Sequence, residues 1–149
     1  NVFEVTHLLI IGSMRNLKFR AWDKNEKVLC PVSVISVGKG AFLIGNSPTP
    51  DTELLDGVQI GPKDGHFVDF CDLELMQFTG LYDFGGKEIY EDDILVIEGV
   101  LYEVSWSDTF MGWRFYPNSS KNDLEYETGE EIEELAKVIG NKYENPNFL

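Results

Sequence analysis

The sequence predicts a mainly β protein made of two small β subdomains. Three observations support this fold class: several segments alternate apolar and polar side chains with period two, glycine- and acid-rich turns separate them, and helical periodicity is confined to one short C-terminal segment. We expect an N-terminal β meander subdomain over residues 14–74 and an SH3-like barrel over residues 75–149, closed by the C-terminal segment.

The first 13 residues differ in composition from the rest of the chain. They end at Gly12-Ser13-Met14, which resembles a cloning junction before a natural start. We expect residues 1–13 to be a vector-derived or non-native leader that takes no part in function. Because His7 belongs to this leader, His66 is the histidine of the domain.

The N-terminal subdomain opens with residues 17–22, in which Leu17, Phe19 and Ala21 alternate with polar neighbours and predict a half-buried strand. A polar turn and a second β pattern over residues 28–37 follow, and the next short strand starts at Ala41. Residues 45–66 carry three prolines and four glycines, which predicts a mobile loop or an insertion.

The C-terminal subdomain begins with a predicted strand at residues 76–79, followed by a turn at Gly85-Gly86. Residues 94–97 read as a buried strand, and Glu98-Gly99 predicts a tight hairpin turn into the alternating residues 100–106. A third strand is predicted at residues 113–116 and a last strand at residues 138–139. Between them, a capping box at Thr128 to Glu131 predicts a short helix, whose apolar stripe is Ile132, Leu135 and Ala136.

The bulk composition disfavours several functional classes. The chain has 149 residues and a net charge of −14, with 26 acids against 12 bases, so nucleic acid is an improbable partner. Even the longest apolar runs, such as Leu8 to Ile11, are too short to span a bilayer, and no membrane association is expected. Cys30 and Cys71 are far apart, which favours reduced thiols in a cytoplasmic compartment over a disulfide framework.

The acidic residues of the central segment invite a metal-site interpretation. Glu88, Glu91, Asp92 and Asp93 lack the alternating acids, glycine and distal glutamate of a calcium loop, so we expect a solvated turn face. The less regular acids at residues 69–74 support the same expectation.

Catalytic patterns are equally poorly supported. The glycines between Gly80 and Gly86 do not end in Gly-Lys-Ser/Thr, so they do not form a phosphate loop. A triad of His66 with Cys71 or Cys30 lacks any nucleophile motif. We therefore predict a non-enzyme with no catalytic residue, no cofactor and no metal.

Aromatic residues are dense in the C-terminal half of the chain. We expect most of them to fill the core, with the surplus meeting another subunit of a homo-oligomer, since short barrels leave strand edges that can pair. The residues concerned are Phe78, Tyr82, Phe84, Tyr90, Tyr102, Trp106, Phe110, Trp113, Phe115 and Tyr116.

Three blocks in sequence order resemble the YopX family of bacteriophage and prophage proteins: residues 14–23, residues 75–94 and residues 138–146. Asp92 departs from the pattern, because the family usually has glycine there. The resemblance implies a set of structural motif residues, which are Trp22, Gly80, Gly86, Tyr90, Asp93, Gly140, Asn141, Tyr143, Asn145 and Pro146.

The resemblance also implies a small, phage-encoded, β-rich protein without an established activity. We expect a non-enzymatic accessory protein that binds a host or phage protein in the bacterial cytoplasm, with specificity in the stretches between the blocks, residues 45–66 and 117–131. Two alternatives stay open: an acidic DNA mimic that inhibits a host defence protein, and a metal- or histidine-dependent hydrolase. Single-strand binding through exposed aromatic residues is a further option.

Overall fold

A computed structural model describes residues 16–37, 40–43, 57–60, 67–118 and 129–148. The prediction of a mainly β protein is confirmed. The predicted leader, residues 1–13, lies outside the described residues, as does His66. In chain order the elements are β1 (Phe19–Asp23), β2 (Val28–Val37), β3 (Gly40–Leu43), β4 (Gly57–Ile60), β5 (Phe67–Val68), a 3-10 turn (Phe70–Asp72), β6 (Leu73–Tyr82), β7 (Glu88–Tyr90), β8 (Asp93–Ile97), β9 (Val100–Ser107), β10 (Gly112–Pro117), α1 (Gly129–Leu135), β11 (Lys137–Asn141) and a 3-10 turn (Pro146–Phe148).

The larger sheet has the strand order β5-β4-β2-β1-β6-β7, and β3 also pairs with β2. Strand β1 lies between β2 and β6, so Trp22 is opposite Leu29 on one side and Glu74 on the other. Strand β4 falls inside residues 45–66, so the expectation that this whole stretch lacks a compact element is wrong.

The smaller sheet has the antiparallel order β10-β9-β8-β11. Glu98 and Gly99 both have positive φ, 50° and 81°, which is the geometry of a two-residue hairpin turn whose twist matches the strands. The predicted turn between β8 and β9 is therefore confirmed. Strand β11 pairs with β8, with Asn141 opposite Asp93. The C-terminal segment therefore lies beside the strand that begins at Asp93.

The main core lies under the smaller sheet and is closed by α1. Ile132 and Ala136 are fully buried, as the predicted apolar stripe requires, but Leu135 is 45% exposed and the prediction for it is wrong. The core residues are Ile89, Leu95, Ile97, Tyr102, Val104, Ile132, Ala136 and Val138. None of the helices in the described part of the chain is long and apolar enough to cross a membrane.

Strand β6 connects the two predicted subdomains. Its first half pairs with β1 and its second half pairs with β7, through Phe78 opposite Tyr90. The predicted division between residues 74 and 75 thus falls within a continuous strand, and the two-subdomain description stays a prediction.

The first predicted strand is buried differently from the expected pattern. Leu17 precedes β1 and is 52% exposed, so the prediction that it belongs to the half-buried strand is wrong. Ala21, Trp22 and Asp23 are all buried, which covers both faces of the strand end. The period-two pattern misses this because distant residues cover both faces. Ala21 belongs to a core cluster with Ile35 and Leu73, and Trp22 is covered by Tyr143.

Candidate functional site

The first and last motif blocks meet through an aromatic contact. The ring of Tyr143 stacks on the indole of Trp22, with centroids 6.0 Å apart. The Tyr143 hydroxyl donates a hydrogen bond of 2.7 Å to Asp92 Oδ2. Burial, followed by the Asp92 carboxylate, raises the pKa of Tyr143, so the hydroxyl remains a donor at neutral pH. The contact therefore fixes the turn that carries Asp92.

Asp92 has a left-handed backbone, with φ at 64°. Aspartate tolerates this region better than most residues, although glycine is less restricted there. Asp92 N–H donates to the Val104 carbonyl at 2.8 Å, and Asp92 Oδ1 pairs with Lys142 Nζ at 2.6 Å. The side chain is mostly buried, so the expectation that this carboxylate faces water is wrong.

Asp93 is buried to 1% exposure and forms an ion pair with Arg20 of β1. Its Oδ2 accepts a 2.8 Å hydrogen bond from Tyr90 N–H, and the Arg20 guanidinium lies 4.6 Å from the centre of the Tyr90 ring. Burial raises the pKa of Asp93, while the guanidinium opposes that change. The solvated-turn prediction is therefore wrong for Asp93 too. The local pattern does not reveal this burial, because the partner Arg20 is 73 positions away in the sequence.

Glu88 is also occupied by neighbours. Its carboxylate pairs with Lys18 and accepts a 2.8 Å hydrogen bond from the Tyr90 hydroxyl. The bond from Lys18 is the main reason that the pKa of Glu88 is lowered. Within the described ranges, no group of three or more histidine, cysteine or acidic side chains is placed to hold a metal ion.

Two motif glycines have positive φ, for different reasons. Gly86, at φ 82°, lies in the turn before β7, whereas Gly80, at φ 93°, lies inside β6 where the pairing register with β7 shifts. Asp83 belongs to the predicted turn but is not one of the predicted motif residues. It organises the turn: its Oδ1 accepts from the N–H of Gly85 and Lys87, and its Oδ2 accepts from Val138 N–H at 3.0 Å. The signal for Asp83 was an aspartate two residues before paired glycines.

The closing motif forms a compact turn after β11. Asn141 Oδ1 accepts hydrogen bonds from the N–H groups of Tyr143 and Glu144, each at 3.0 Å. A Cβ atom at Gly140 would lie 2.1 Å from Asn145 Oδ1, so only glycine fits beside that side chain. Pro146 then starts the final 3-10 turn. These contacts give the motif residues structural roles.

The two thiols have little nucleophilic character. Cys30 and Cys71 are both free. Burial raises the pKa of Cys30, and the hydrogen bond with Asp69 raises the pKa of Cys71. A thiolate is the reactive form of cysteine, so these environments disfavour nucleophilic catalysis at neutral pH.

Asp92, Asp93 and Tyr143, with the side chains bonded to them, form what we call the motif network. Beside it lies a cleft of about 300 Å³ that we call the aromatic cleft, lined by Gln77, Glu91, Trp106 and Trp113. Trp113 of β10 lies directly opposite Trp106 of β9, and their rings meet edge to face at 5.2 Å. Glu91 follows β7, and its N–H donates to the Gln77 carbonyl at 2.9 Å. The motif network therefore positions one wall of the cleft and the β9–β10 hairpin forms the other.

The turn of that hairpin and the end of β9 beside it expose large apolar side chains. Phe110 is 57% exposed, Met111 is 81% exposed and Trp106 is 42% exposed. The Arg114 guanidinium lies 3.8 Å from the centre of the Phe110 ring. The expectation that the aromatic residues are mostly core is wrong for this group, and the sequence signal was apolar residues in a turn where polar ones are usual.

A second cleft, of about 410 Å³, shares Gln77 with the aromatic cleft. Its lining includes Leu17, Thr79 and Tyr82, and it holds no charged side chain among its described lining residues. The aromatic cleft is the stronger candidate because it combines a carboxylate with aromatic walls and exposed apolar neighbours.

Comparison with known proteins gives a family and a related structure. A family model described as YopX protein matches residues 18–149. The chain is similar to a solved structure described as protein EF1440 from Enterococcus faecalis, with 27% sequence identity, a TM-score of 0.58, and coverage of 89% of this chain and 97% of that one. The curated proteins contain no match to the chain.

Proposed function

We propose that this chain, which belongs to the YopX family, is a non-enzymatic accessory protein that acts by binding another protein. The binding surface is the β9–β10 hairpin turn together with the aromatic cleft beside it. The observation that carries the proposal is the exposure of Phe110, Met111 and Trp106 at one end of the smaller sheet. Large apolar side chains exposed together at one end of a sheet are typical of protein interaction sites.

The composition of this surface fits a protein partner. Interfaces are enriched in aromatic residues and methionine, and a few such side chains provide most of the binding energy. The rigid β-hairpin holds Trp106 and Trp113 opposite one another, so little side-chain entropy is lost on binding. Catalysis by the central acids is disfavoured, because Glu88 and Asp93 are each paired with a cation.

The family resemblance supports a role for this activity in phage or prophage biology. We propose a host or phage protein as the partner, and the bacterial cytoplasm as the compartment. We also propose that residues 75–149 form an SH3-like barrel closed by the C-terminal segment, since β11 returns beside β8. Self-association through the outer strand β10 is a further proposal, which sedimentation of the purified chain would test.

The DNA-mimic alternative receives less support. The net charge of −14 favours it, but mimicry needs carboxylates presented to solvent at phosphate-like spacing. Asp23, Asp83, Asp92 and Asp93 are buried instead. Competition with duplex DNA for a captured partner would distinguish this alternative from binding through the hairpin.

The experiment is site-specific photo-cross-linking in infected cells. A photoreactive amino acid replaces exposed Met111 in one strain and exposed Glu134 of α1 in a control strain. We expect a protein that cross-links at position 111 and not at 134, and that binds the purified chain with loss of binding on Phe110→Ser. Equal cross-linking at both positions, or full binding by the Phe110→Ser variant, would remove the proposal.

A further inference from the structure

We propose that the aromatic cleft binds a lysine or arginine side chain presented by the partner protein. The inference rests on the proposed function, and it names the chemistry by which that partner is recognised. It depends on the carboxylate, the aromatic walls and the charge around the cleft.

Glu91 provides a carboxylate that needs a cation. In the described parts of the chain, no lysine or arginine lies within ion-pair distance of it. Lys142 is the cation whose charge acts on Glu91, but its Nζ is held by Asp92 at 2.6 Å and by Glu103 at 3.6 Å. Burial and the negative charge of Asp92 raise the pKa of Glu91, so a bound cation would relieve an unfavourable environment.

The walls of the cleft suit an alkyl chain that ends in a positive charge. Trp106 and Trp113 present aromatic surface, and cations are attracted to aromatic faces by about 0.5–2 kcal/mol. Gln77 also lines the cleft, and an amide oxygen is a suitable acceptor for an ammonium or guanidinium group. A volume of about 300 Å³ is at the low end for ligand sites, which fits one long side chain better than a cofactor.

The charge of the surroundings favours the same occupant. Among the described residues, the lining of the cleft contains an acid and no base. Arg114, which lies on the same hairpin, is placed over the Phe110 ring rather than in the cleft. A net charge of −14 attracts basic surfaces over a distance and speeds their association at low salt. A partner with a protruding lysine or arginine therefore meets a complementary site.

The test is an NMR titration of the full chain, labelled with ¹⁵N, with the peptide acetyl-Gly-Lys-Gly-amide. Arginine and norleucine versions of the peptide serve as matched probes. The chain has three tryptophans, so the indole N–H signals of Trp106 and Trp113 report on the cleft and that of Trp22, stacked on Tyr143, serves as an internal control. We expect the lysine and arginine peptides to shift the two cleft signals, and norleucine to leave them unchanged.

The variant Glu91→Gln keeps the size of the side chain and removes its charge. We expect it to weaken lysine-peptide binding at least tenfold, whereas Glu134→Gln, which removes an exposed acid from α1, changes the affinity less than twofold. Unchanged signals elsewhere in the Glu91→Gln spectrum would show that the fold is intact. Equal binding of lysine and norleucine peptides, or unchanged affinity in Glu91→Gln, would overturn the inference.

The two proposals fail in distinguishable ways. A partner that cross-links at position 111 and binds Glu91→Gln as tightly as the parent chain contradicts the cation site and leaves the proposed function standing. Lysine-peptide binding without any protein captured at position 111 contradicts the proposed function, and with it the assignment of the cation to a partner protein.

Discussion

The ring planes of Trp22 and Tyr143 are inclined by only 16°, so the two side chains stack face to face. This contact joins β1 to the turn after β11, and it directs the Tyr143 hydroxyl onto Asp92. Asp92 adjoins Glu91, the acid of the aromatic cleft. The stacked pair therefore holds the turn that positions a candidate binding residue.

Removing the Tyr143 hydroxyl tests this contact with little change in packing. Tyr143→Phe keeps the ring on Trp22 and loses the 2.7 Å hydrogen bond to Asp92. Because a hydrogen bond to a charged group contributes about 1.5–3 kcal/mol, we expect the free energy of unfolding to fall by that amount in urea titrations. Tyr116→Phe, at an exposed tyrosine of β10, is the control and should change stability by less than about 0.5 kcal/mol. Equal effects of the two variants would contradict a structural role for the hydroxyl.

The left-handed backbone of Asp92 predicts an unusual order of stability for two variants. Asp92→Gly and Asp92→Ala both remove the carboxylate and its bonds to Tyr143 and Lys142. At φ 64°, alanine keeps the steric cost of the left-handed region, whereas glycine has none. We expect Asp92→Gly to be about 1 kcal/mol more stable than Asp92→Ala in thermal and urea unfolding. The opposite order would show that the turn relaxes out of this conformation.

Local sequence patterns predicted the turns and missed the long-range pairs. Glu98 and Gly99 form the expected hairpin because a two-residue turn depends on those residues alone. Asp93 was expected in water because the partner that accompanies it into the interior, Arg20, is supplied by a strand far away in the sequence. Burial of a charged group depends on such partners, which no local pattern contains.

The candidate site was predictable in part. The position of Trp106 opposite Trp113 follows from pairing two predicted strands. Which side of their sheet stays exposed, however, depends on where α1 packs. Phe110 and Met111 had a local signal, since large apolar residues in a turn are unusual. The place of Glu91 beside Gln77 could not be predicted, because it depends on the register between β6 and β7.

The effects of substitutions at Arg20 and Asp93 on the free energy of unfolding should be strongly coupled. Their side chains are 13% and 1% exposed, so either single variant, Arg20→Met or Asp93→Asn, leaves a buried polar group without its partner. We expect each to cost about 3–5 kcal/mol, and the double variant to cost clearly less than the sum. Urea unfolding of the four proteins measures this coupling.

The matched control is the exposed ion pair of Lys24 and Glu74, whose side chains are 39% and 45% exposed. Solvent screens this pair, so Lys24→Met and Glu74→Gln should each cost less than about 1 kcal/mol with little coupling. Additive costs at Arg20 and Asp93 would instead mean that the buried pair contributes no more than two independent side chains.

Gly140 and Asn145 form a second pair that a double-variant cycle can test. In Gly140→Ala the new Cβ would lie 2.1 Å from Asn145 Oδ1, which must move and lose its bond to Asn141 N–H. We expect a cost of about 2–3 kcal/mol in the parent chain. In an Asn145→Ala background the clash is gone, so the same substitution should cost less than about 1 kcal/mol. A constant cost in both backgrounds would locate the strain elsewhere.

Asp83 makes stability depend on pH under acidic conditions. Burial acts to raise the pKa of its carboxyl, but hydrogen bonds from the N–H groups of Val138, Lys87 and Gly85 outweigh it and hold the pKa below the ordinary value of 3.8. A lowered pKa in the folded state means that the ionised group stabilises the fold above the unfolded-state pKa, and that this contribution is lost as pH falls toward the folded-state pKa.

The parent chain should therefore lose stability below about pH 4, and Asp83→Asn should flatten this part of the profile. The variant should also be less stable at pH 7 by about 1–3 kcal/mol, because an amide satisfies the three backbone donors less well than a carboxylate does. Thermal unfolding between pH 2.5 and 7 measures both effects, with Asp72→Asn as a control whose profile should follow that of the parent chain. A profile for Asp83→Asn that falls as steeply as the parent's would assign the acid sensitivity to another carboxylate.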